Sequence, residues 1–374
     1  MLFSIALIFA GSHATTSILK TSQEDYWLSQ LTIEEKIGQL LMPRLPWSAK
    51  SVDAKIQELM KDIPVGGIAL FRDNVNNTQQ VQTLTKDLQA LARLPLFIAI
   101  DEEGGRVSRV GKLFDKPTAP AYDIGNQGDT AAAYAIARTI GKRLTKLGIN
   151  MNFAPVADIW SNPSNTVIGN RAFGQTPDIV GDMVDASVRG LNTEGVLPVV
   201  KHFPGHGDTK EDSHYQLAIY PHGRERFNQI ESRPFISASK AGTAGIMVGH
   251  IATPAFKDSR HQLEWVAPLA KSGTLPVTFS DFWLQDILRK EIGFDGLIIT
   301  DGLDMRALTD NFTCAQIVLA AFLAGSDILL MPVNPKVAYQ ALLDGYKAGL
   351  FDEERLNQSL RRILRAKEKW LVKH

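Results

Sequence analysis

Short apolar runs rich in β-branched residues alternate along the chain with longer stretches in which apolar residues recur about every 3.6 positions. The short runs predict strands, and the longer stretches predict amphipathic helices. The predicted strands cover residues 37–44, 65–71, 96–101, 150–158, 197–202, 245–250, 296–301 and 327–331. The predicted helices cover residues 52–63, 78–92, 130–147, 178–191, 279–292, 314–323, 335–350 and 353–370. Since parallel neighbours need a crossover connection, this alternation predicts a parallel sheet.

Glycines stand at the ends of several predicted helices, where a C-cap residue often adopts a left-handed conformation. They are Gly148, Gly195, Gly242, Gly293, Gly325 and Gly349. The chain has 374 residues, and one large (β/α)8 barrel takes about 250 residues or more. We therefore predict an α/β fold with a single (β/α)8 TIM-type barrel over residues 22–374 and no second α/β sandwich domain. A doubly wound open sheet is the alternative, which strand counting leaves open.

The first residues differ in pattern from the rest of the chain. Residues 2–10, LFSIALIFA, form an apolar run that is too short to span a bilayer as a helix. Small residues follow at Ser12 and Ala14, as at a signal-peptidase site, although no Lys or Arg precedes Lys20. We predict a signal peptide over residues 1–14, an exported protein that is periplasmic or secreted, and no membrane insertion after cleavage. If the segment is not a signal peptide, the protein is cytoplasmic.

Composition and charge argue against several classes of protein. Lys and Arg together number 40, and so do Asp and Glu, whereas nucleic-acid and anionic-membrane binders need a basic surface. Cys314 is the one cysteine, so neither an intrachain disulfide nor a cysteine-based zinc site is possible. The sequence contains no Walker A, Rossmann glycine or Gly-x-Ser-x-Gly pattern. We expect a monomer that binds no nucleic acid and no cofactor.

Ionisable side chains stand at the ends of most predicted strands. They are Asp101, Glu102, Glu103, Asp158, Lys201, His202, His250 and Asp301. In (β/α)8 barrels the active site lies at the carboxyl ends of the strands. Ionisable groups that converge on one mouth are typical of a catalytic or binding site.

Residues 201–214, KHFPGHGDTKEDSH, form the most informative segment. Asp212 stands two residues before His214, and glycines on both sides of His206 permit unusual backbone angles. In a loop, this spacing lets the carboxylate accept a hydrogen bond from one ring nitrogen, which fixes the tautomer and raises the basicity of the other nitrogen. Such a pair is typical of proton transfer.

A second segment, residues 291–305 with the sequence EIGFDGLIITDGLDM, contains a buried strand that ends at Asp301. A carboxylate at this place can attack an anomeric carbon, or it can cap the following helix. The bare pattern leaves both interpretations open for Asp301 and favours the helix cap for Asp304.

Two arginines belong to further compact segments. In DEEGGRVSRV, residues 101–110, two glycines permit a tight turn, and Arg109 can form a bidentate pair with Asp101 or bind hydroxyl groups. In GNRAFG, residues 169–174, a turn presents Arg171. For each arginine, a surface salt bridge is the alternative.

These motifs and their order closely resemble those of the family 3 glycoside hydrolases of the bacterial β-N-acetylglucosaminidase type. The motifs are DEEGGRVSRV, NFAPVADI, GNRAFG, KHFPGHGDT followed by DSH, and GFDGLIITD. The resemblance runs from about Leu31 to the C-terminal helix. One departure is Gly302-Leu-Asp304, where many members carry Asp-Leu-Ser, and it loosens the substrate assignment.

The resemblance implies a barrel fold and double-displacement hydrolysis of terminal β-linked N-acetylglucosamine through a covalent intermediate. It implies that Asp301 is the nucleophile and that His214, with Asp212 as its partner, is the acid/base. It implies an oligosaccharide substrate and no metal. The sugar-contacting positions of the family fall on Asp101, Arg109, Arg171, Lys201 and His202.

Four hypotheses about function follow. The first is an exo-acting β-N-acetylglucosaminidase on muropeptides, in peptidoglycan turnover, or on chitin oligomers. The second is a family 3 β-glucosidase or a phosphorylase, in which a histidine avoids a second negative charge beside phosphate. The third, from a different class, is a metal-dependent hydrolase on the same barrel with the ligands His202, His206, Asp208 and His214. The fourth, a catalytically silent sugar-binding protein, is disfavoured because the nucleophile and the Asp–His pair are both present.

Overall fold

The structure, a computed structural model, describes residues 23–210, 212–213, 215–256 and 263–372. The predicted signal peptide, residues 1–14, lies outside the described residues, and so does His214.

A curled sheet of six parallel strands organises the fold, in the order β7-β6-β5-β4-β3-β2, and a further pair joins β1 to β8. The strands are β1 (Leu41–Met42), β2 (Gly67–Ala69), β3 (Phe97–Ile100), β4 (Met151–Asn152), β5 (Leu197–Phe203), β6 (Gly245–Val248), β7 (Leu297–Thr300) and β8 (Leu329–Leu330). Single bridges lie between the pair and the sheet, from Arg44 to Ala69 and from Ile299 to Ile328. Each of these eight strands overlaps one predicted strand segment, so the prediction of a parallel α/β fold is confirmed. The short strands Glu102–Gly104, Val107–Ser108, Ala218–Ile219 and Ile251–Ala252 were not predicted.

Helices follow most of the strands, as parallel connections require. The α-helices are α1 (Gln23–Gln30), α2 (Ile33–Gln39), α3 (Ala54–Asp62), α4 (Thr78–Ala90), α5 (Ala121–Gly125), α6 (Thr130–Lys146), α7 (Pro177–Thr193), α8 (Arg224–Gln229), α9 (Ser232–Lys240), α10 (Ala267–Ser272), α11 (Arg306–Thr309), α12 (Cys314–Ala324), α13 (Pro335–Lys347) and α14 (Glu353–Leu371). The helix Phe282–Glu291 has the wider π-helical winding. Within the described part of the chain, no helix is both long and apolar enough to cross a membrane.

Residues 37–39 differ from the prediction, which placed them in a strand. They form the last turn of α2, which begins with a capping box. Thr32 Oγ1 accepts the backbone N–H of Glu35 at 3.2 Å, and the Glu35 carboxylate accepts the backbone N–H of Thr32 at 3.0 Å. This reciprocal pair stabilises a helix start, so the apolar run begins in the helix and enters the strand only at Leu41.

The core lies on both faces of the sheet. All four residues of β3 are fully buried, as are the four of β7. Parallel strands covered on both faces carry continuous apolar runs, which is the pattern seen in the sequence. The helices add one apolar stripe each, and in α7 the buried Val180, Val184 and Val188 recur every fourth residue. The glycines predicted to end helices all have positive φ, which confirms that prediction.

Candidate active site

Strand ends bring charged side chains to one edge of the sheet. Asp101 directly follows β3, Asp301 directly follows β7, and Lys201 lies near the end of β5. The carboxyl ends of parallel strands meet at one edge, and there a cavity of about 700 Å³ opens. Six residues selected from the sequence line it, namely Asp101, Arg109, Arg171, Lys201, His202 and Asp301. Tertiary structure thus brings these six together from four separate segments.

Lys201 is the centre of a buried ion-pair network beside the cavity. Its Nζ donates to Asp101 Oδ1 at 2.7 Å and lies 2.6 Å from Glu103 Oε1. Arg171 binds Glu103 through two hydrogen bonds, from Nε to Oε2 at 2.8 Å and from Nη2 to Oε1 at 2.9 Å. Because the Arg171 side chain is only 11% exposed, the surface salt bridge considered for it is wrong.

The charges of this network set its protonation states. Burial alone would raise the pKa of Glu103, but Arg171 and Lys201 outweigh burial and hold that pKa well below its usual range. Burial alone would lower the pKa of Lys201, but Asp101 and Glu103 raise it above its ordinary value. At neutral pH the network therefore holds a fixed ammonium and a fixed guanidinium, which are hydrogen-bond donors suited to sugar hydroxyl groups.

Arg109 reaches the cavity from a hairpin over residues 102–108. Its Nη2 lies 3.7 Å from Asp101 Oδ2, which is a single ion-pair contact, so a bidentate pair is not formed. The buried carboxylate of Glu102 accepts the backbone N–H of Arg109 at 2.7 Å and fixes the main chain. At the turn Gly105 has φ +52, and a Cβ there would lie 2.9 Å from Pro120, so the predicted tight turn requires glycine.

The fully buried Asp158 orients His202. Asp158 Oδ2 lies 2.7 Å from His202 Nδ1. Although burial would raise the pKa of Asp158, the nearby His202 and the hydrogen bonds lower it, so the carboxylate acts as the acceptor. The carboxylate can only accept, so His202 Nδ1 donates to it and the orientation of the ring is fixed.

Asp301 serves no helix as a cap. Its Oδ1 accepts the backbone N–H of Gly302 at 2.7 Å, and its own N–H donates to Val248 O at 2.9 Å. The following helix α11 has Met305 at its N-cap, so the helix-cap interpretation is wrong for Asp301 and for Asp304. Instead, Asp304 forms an ion pair of 3.1 Å with Arg44 at the cavity.

His250 supports the loop that contains Asp301. The ring is fully buried, with Nε2 2.9 Å from Gly302 O and Nδ1 2.7 Å from Thr278 Oγ1. These contacts hold the main chain on the carboxyl side of Asp301. His250 therefore fixes the position of the main chain at Gly302, next to Asp301.

The predicted acid/base segment lies beside the same cavity. Ser213 lines the cavity, Asp212 is half-buried, and His214 lies outside the described residues. The loop leaves β5 through Gly207, where a Cβ would lie 1.9 Å from the carbonyl oxygen of Ile159. Only glycine fits there, and the close approach holds the start of the loop against the segment after β4.

Three of the four proposed metal ligands, His202, His206 and Asp208, are engaged with other partners. His206 has ring nitrogens 2.9 Å from Ser213 Oγ and 2.7 Å from Thr209 Oγ1. Asp208 pairs with His222 and accepts from Ser161. In the parts of the chain for which positions are described, no group of three or more His, Cys, Asp or Glu side chains is arranged to hold a metal.

Two residues of the site, Glu103 and Asp158, were noted in the sequence only as charged groups at strand ends and were given no role. Glu103 stands in the run Asp101-Glu102-Glu103, and Asp158 ends a predicted strand. Their positions after strands were the available signal. Their partners Arg171 and His202 lie 68 and 44 residues away along the chain, so the pattern did not indicate which carboxylate pairs with which cation.

Comparison with known proteins gives a consistent result. The family model described as "Glycosyl hydrolase family 3 N terminal domain" matches residues 32–366. Beta-hexosaminidase A of Pseudoalteromonas piscicida is 39% identical over 334 residues, which are 84% of this chain and 55% of that protein. A beta-hexosaminidase of Chromobacterium violaceum is 36% identical over 281 residues, which are 73% of each chain. This chain thus spans about half the length of the first relative and about three quarters of the second.

Solved structures agree with these relatives. A glycoside hydrolase family 3 beta-N-acetylglucosaminidase from Paenibacillus sp. str. FPU-7 is 37% identical with a TM-score of 0.81, over 91% of this chain and 62% of that one. A family 3 glycosyl hydrolase from Mycobacterium smegmatis is 29% identical with a TM-score of 0.79, over 91% of this chain and 98% of that one. The resemblance found in the motifs is thereby confirmed. The chain belongs to glycoside hydrolase family 3.

Proposed function

We propose that this protein is a retaining exo-β-N-acetylhexosaminidase that releases terminal β-linked N-acetylglucosamine from oligosaccharides such as muropeptides or chitin oligomers. The observation that carries the proposal is the carboxylate of Asp301, which shares one cavity with the buried network around Lys201. The names of the relatives, beta-hexosaminidase and beta-N-acetylglucosaminidase, support the class of sugar.

The charged side chains are suited to bind the terminal sugar. Asp101 offers carboxylate oxygens, and Lys201, Arg109 and Arg171 offer N–H donors around the same cavity. Each cation is held by at least one carboxylate of the site, so little side-chain freedom is lost when hydroxyl groups bind. The ring of His202, which Asp158 holds at Nδ1, also lines this cavity and leaves Nε2 for a hydrogen bond to the sugar.

In the proposed mechanism an Asp301 carboxylate oxygen attacks the anomeric carbon while the glycosidic bond to the leaving group breaks. His214 gives a proton to the departing oxygen. In the second step His214 removes a proton from water, the water oxygen attacks the anomeric carbon, and the bond to Asp301 breaks. Two inversions retain the β configuration. Asp212 would hold the imidazole in one tautomer and stabilise its charged form.

We further propose that the strands close into a complete (β/α)8 barrel. The pairing of β1 with β8 and the bridges to both edges of the six-stranded sheet support closure. Backbone hydrogen bonds support it as well, from Leu45 N to Ala69 O at 2.9 Å and from Thr300 N to Ile328 O at 3.1 Å. Closure would surround the cavity with loops from all sides, which is the position of active sites in such barrels.

Hydrolysis of a panel of aryl glycosides tests the proposed function. We expect turnover of aryl β-N-acetylglucosaminides well above that of aryl β-glucosides, with N-acetylglucosamine as product and no effect of chelators. Preference for the glucoside would contradict the sugar assignment. Formation of a sugar phosphate in the presence of inorganic phosphate would identify a phosphorylase, and loss of activity with a chelator would favour the metal-dependent hydrolase.

A further inference from the structure

His206 is a buried histidine beside the cavity whose two ring nitrogens both have partners. Its residue is only 1% exposed, and it lines the cavity that contains Asp301. Nε2 lies 2.9 Å from Ser213 Oγ, and Nδ1 lies 2.7 Å from Thr209 Oγ1. Because both hydroxyl groups can donate or accept, a neutral ring keeps both bonds. A ring bound in this way is suited to hold its neighbours rather than to exchange a proton with substrate.

The main chain of His206 belongs to the rigid part of the site. Its N–H donates to Asp158 Oδ1 at 2.6 Å, and its carbonyl oxygen accepts from Asn165 Nδ2 at 2.7 Å. Its ring meets the ring of His202 edge to face, with centroids 5.9 Å apart. Burial and the neighbouring His202 lower the pKa of His206, against the opposing effect of Asp158, so the ring stays neutral at pH 7. The main-chain hydrogen bonds fix the position of His206, and the ring contacts fix the orientation of its side chain.

Ser213 is the residue whose hydroxyl group contacts His206 Nε2. It is only 2% exposed, and it stands between Asp212 and His214 in the chain. The loop that contains it is also closed at its base, because Asp208 pairs with His222, 14 residues further along the chain. The hydrogen bond between His206 and Ser213 therefore connects the buried residues around Asp158 to the middle of this loop.

We propose that His206 is a positioning residue, which holds Ser213, the residue between Asp212 and His214 in the sequence. The inference rests on the proposed function, in which His214 transfers the proton. Loss of the bond should therefore impair proton transfer to the leaving group more than it impairs binding of the terminal sugar. Small displacements of a catalytic group cost on the order of 100-fold in rate.

Two substitutions of His206 separate its two hydrogen bonds. In His206→Gln, the side-chain amide can reach the place of Nε2 and can keep the bond to Ser213. In His206→Asn, the shorter amide can reach the place of Nδ1, so it keeps the bond to Thr209 and loses the one to Ser213. Ser213→Ala removes the same bond from the other side and keeps the test valid if a His206 variant does not fold. Ser187→Ala, at a buried serine on α7 that does not line this cavity, is the matched control.

The measured quantity is the ratio of kcat/KM for N,N′-diacetylchitobiose to kcat/KM for 2,4-dinitrophenyl β-N-acetylglucosaminide, whose leaving group needs little protonation. We expect His206→Asn and Ser213→Ala to lower this ratio about 10- to 100-fold. His206→Gln should recover most of the ratio, and Ser187→Ala should leave it unchanged. The double variant His206→Asn/Ser213→Ala should lower the ratio little further than either single variant, because both substitutions remove the same hydrogen bond.

His214→Ala is measured in parallel, so that the two ideas can fail separately. If His214→Ala lowers the ratio and neither His206→Asn nor Ser213→Ala does, the positioning role is wrong and the proposed function stands. If His206→Asn and Ser213→Ala lower kcat/KM for the disaccharide and for the aryl glycoside equally, the positioning role is also wrong and His206 is purely structural. If His214→Ala itself leaves the ratio unchanged, the acid/base assignment fails, and this inference fails with it.

Discussion

Lys201 Nζ lies 2.6 Å from Glu103 Oε1, and both side chains are almost completely buried beside the cavity. Glu103 also binds Arg171 in a bidentate manner, so one carboxylate is bound by two cations. A buried charge that has lost its partner is costly, and Glu103 and Asp101 together compensate the two cations that face the substrate cavity. The sugar-binding part of the site thus depends on a residue that need not itself touch the sugar.

Glu103→Gln should therefore lower both stability and activity. The amide keeps the shape of the side chain but removes the negative charge, which leaves Arg171 and Lys201 buried with less compensation. Breaking a buried pair in this way costs about 3–5 kcal/mol in free energy of unfolding, as urea titration would show. We also expect KM to rise, because the donors lose their fixed geometry. Glu58→Gln, in an exposed pair with Lys336, is the control and should change neither quantity appreciably. An unchanged KM in Glu103→Gln would contradict this view of the network.

Asp301→Ala should remove nearly all turnover and leave the protein folded. Loss of a covalent nucleophile costs several powers of ten in kcat. A 2-fluoro glycosyl trap should label wild-type protein on Asp301, as peptide mass spectrometry can verify. Asp310→Asn, an exposed residue in an ion pair with Arg306, is the control and should retain activity. Wild-type rates in Asp301→Ala on an activated aryl glycoside would refute the assignment of the nucleophile.

His214→Ala should slow both chemical steps, with a pattern that depends on the leaving group. An activated aryl glycoside needs little protonation, so its first step should be affected much less than cleavage of a disaccharide. The covalent intermediate should then accumulate, and added azide should restore its breakdown and yield a β-glycosyl azide. Asp212→Ala should show the same pattern more mildly, because it orients the imidazole and does not transfer the proton. Uniform losses without azide rescue would show that the acid/base is another residue.

Lys367 should make the stability of the protein depend on pH. The side chain is buried in α14, Nζ donates to Gln39 Oε1 at 2.6 Å, and burial lowers its pKa to about 7. The pKa of a lysine in an unfolded chain is about 10.4. Between these two values the unfolded chain binds a proton that the folded protein does not, so stability rises with pH by up to about 1.4 kcal/mol per unit. Below about pH 7 both states are protonated and the contribution is constant, and above about pH 10.4 neither is.

Lys367→Met tests this dependence. The free energy of unfolding of wild-type protein, measured by urea titration from pH 6 to pH 10, should rise more steeply than that of Lys367→Met. Lys369→Met, which replaces an exposed lysine on the same helix, should keep the wild-type slope. Parallel curves for wild type and Lys367→Met would mean that Lys367 stays charged in the folded protein.

The sequence alone determined the strands of the parallel sheet, the longest helices and the family of this protein. Strands and helices were predictable because apolar periodicity is local, and every predicted strand segment contains or overlaps an observed strand. Asp101, Lys201 and Asp301 could be selected because strand ends in a parallel sheet meet at one edge. The error at residues 37–39 also has a local cause, since the capping box of Thr32 and Glu35 extends α2 into the apolar run.

Only the tertiary structure decided which charged groups meet. The binding of Glu103 by Lys201 and Arg171, and the orientation of His202 by Asp158, join loops that follow different strands. Local patterns define the loop in which a carboxylate lies but not the cation that approaches it from another loop. That choice depends on sheet register and loop path, because an ion pair forms only when side chains from distant segments converge within a few ångströms and lose their water together.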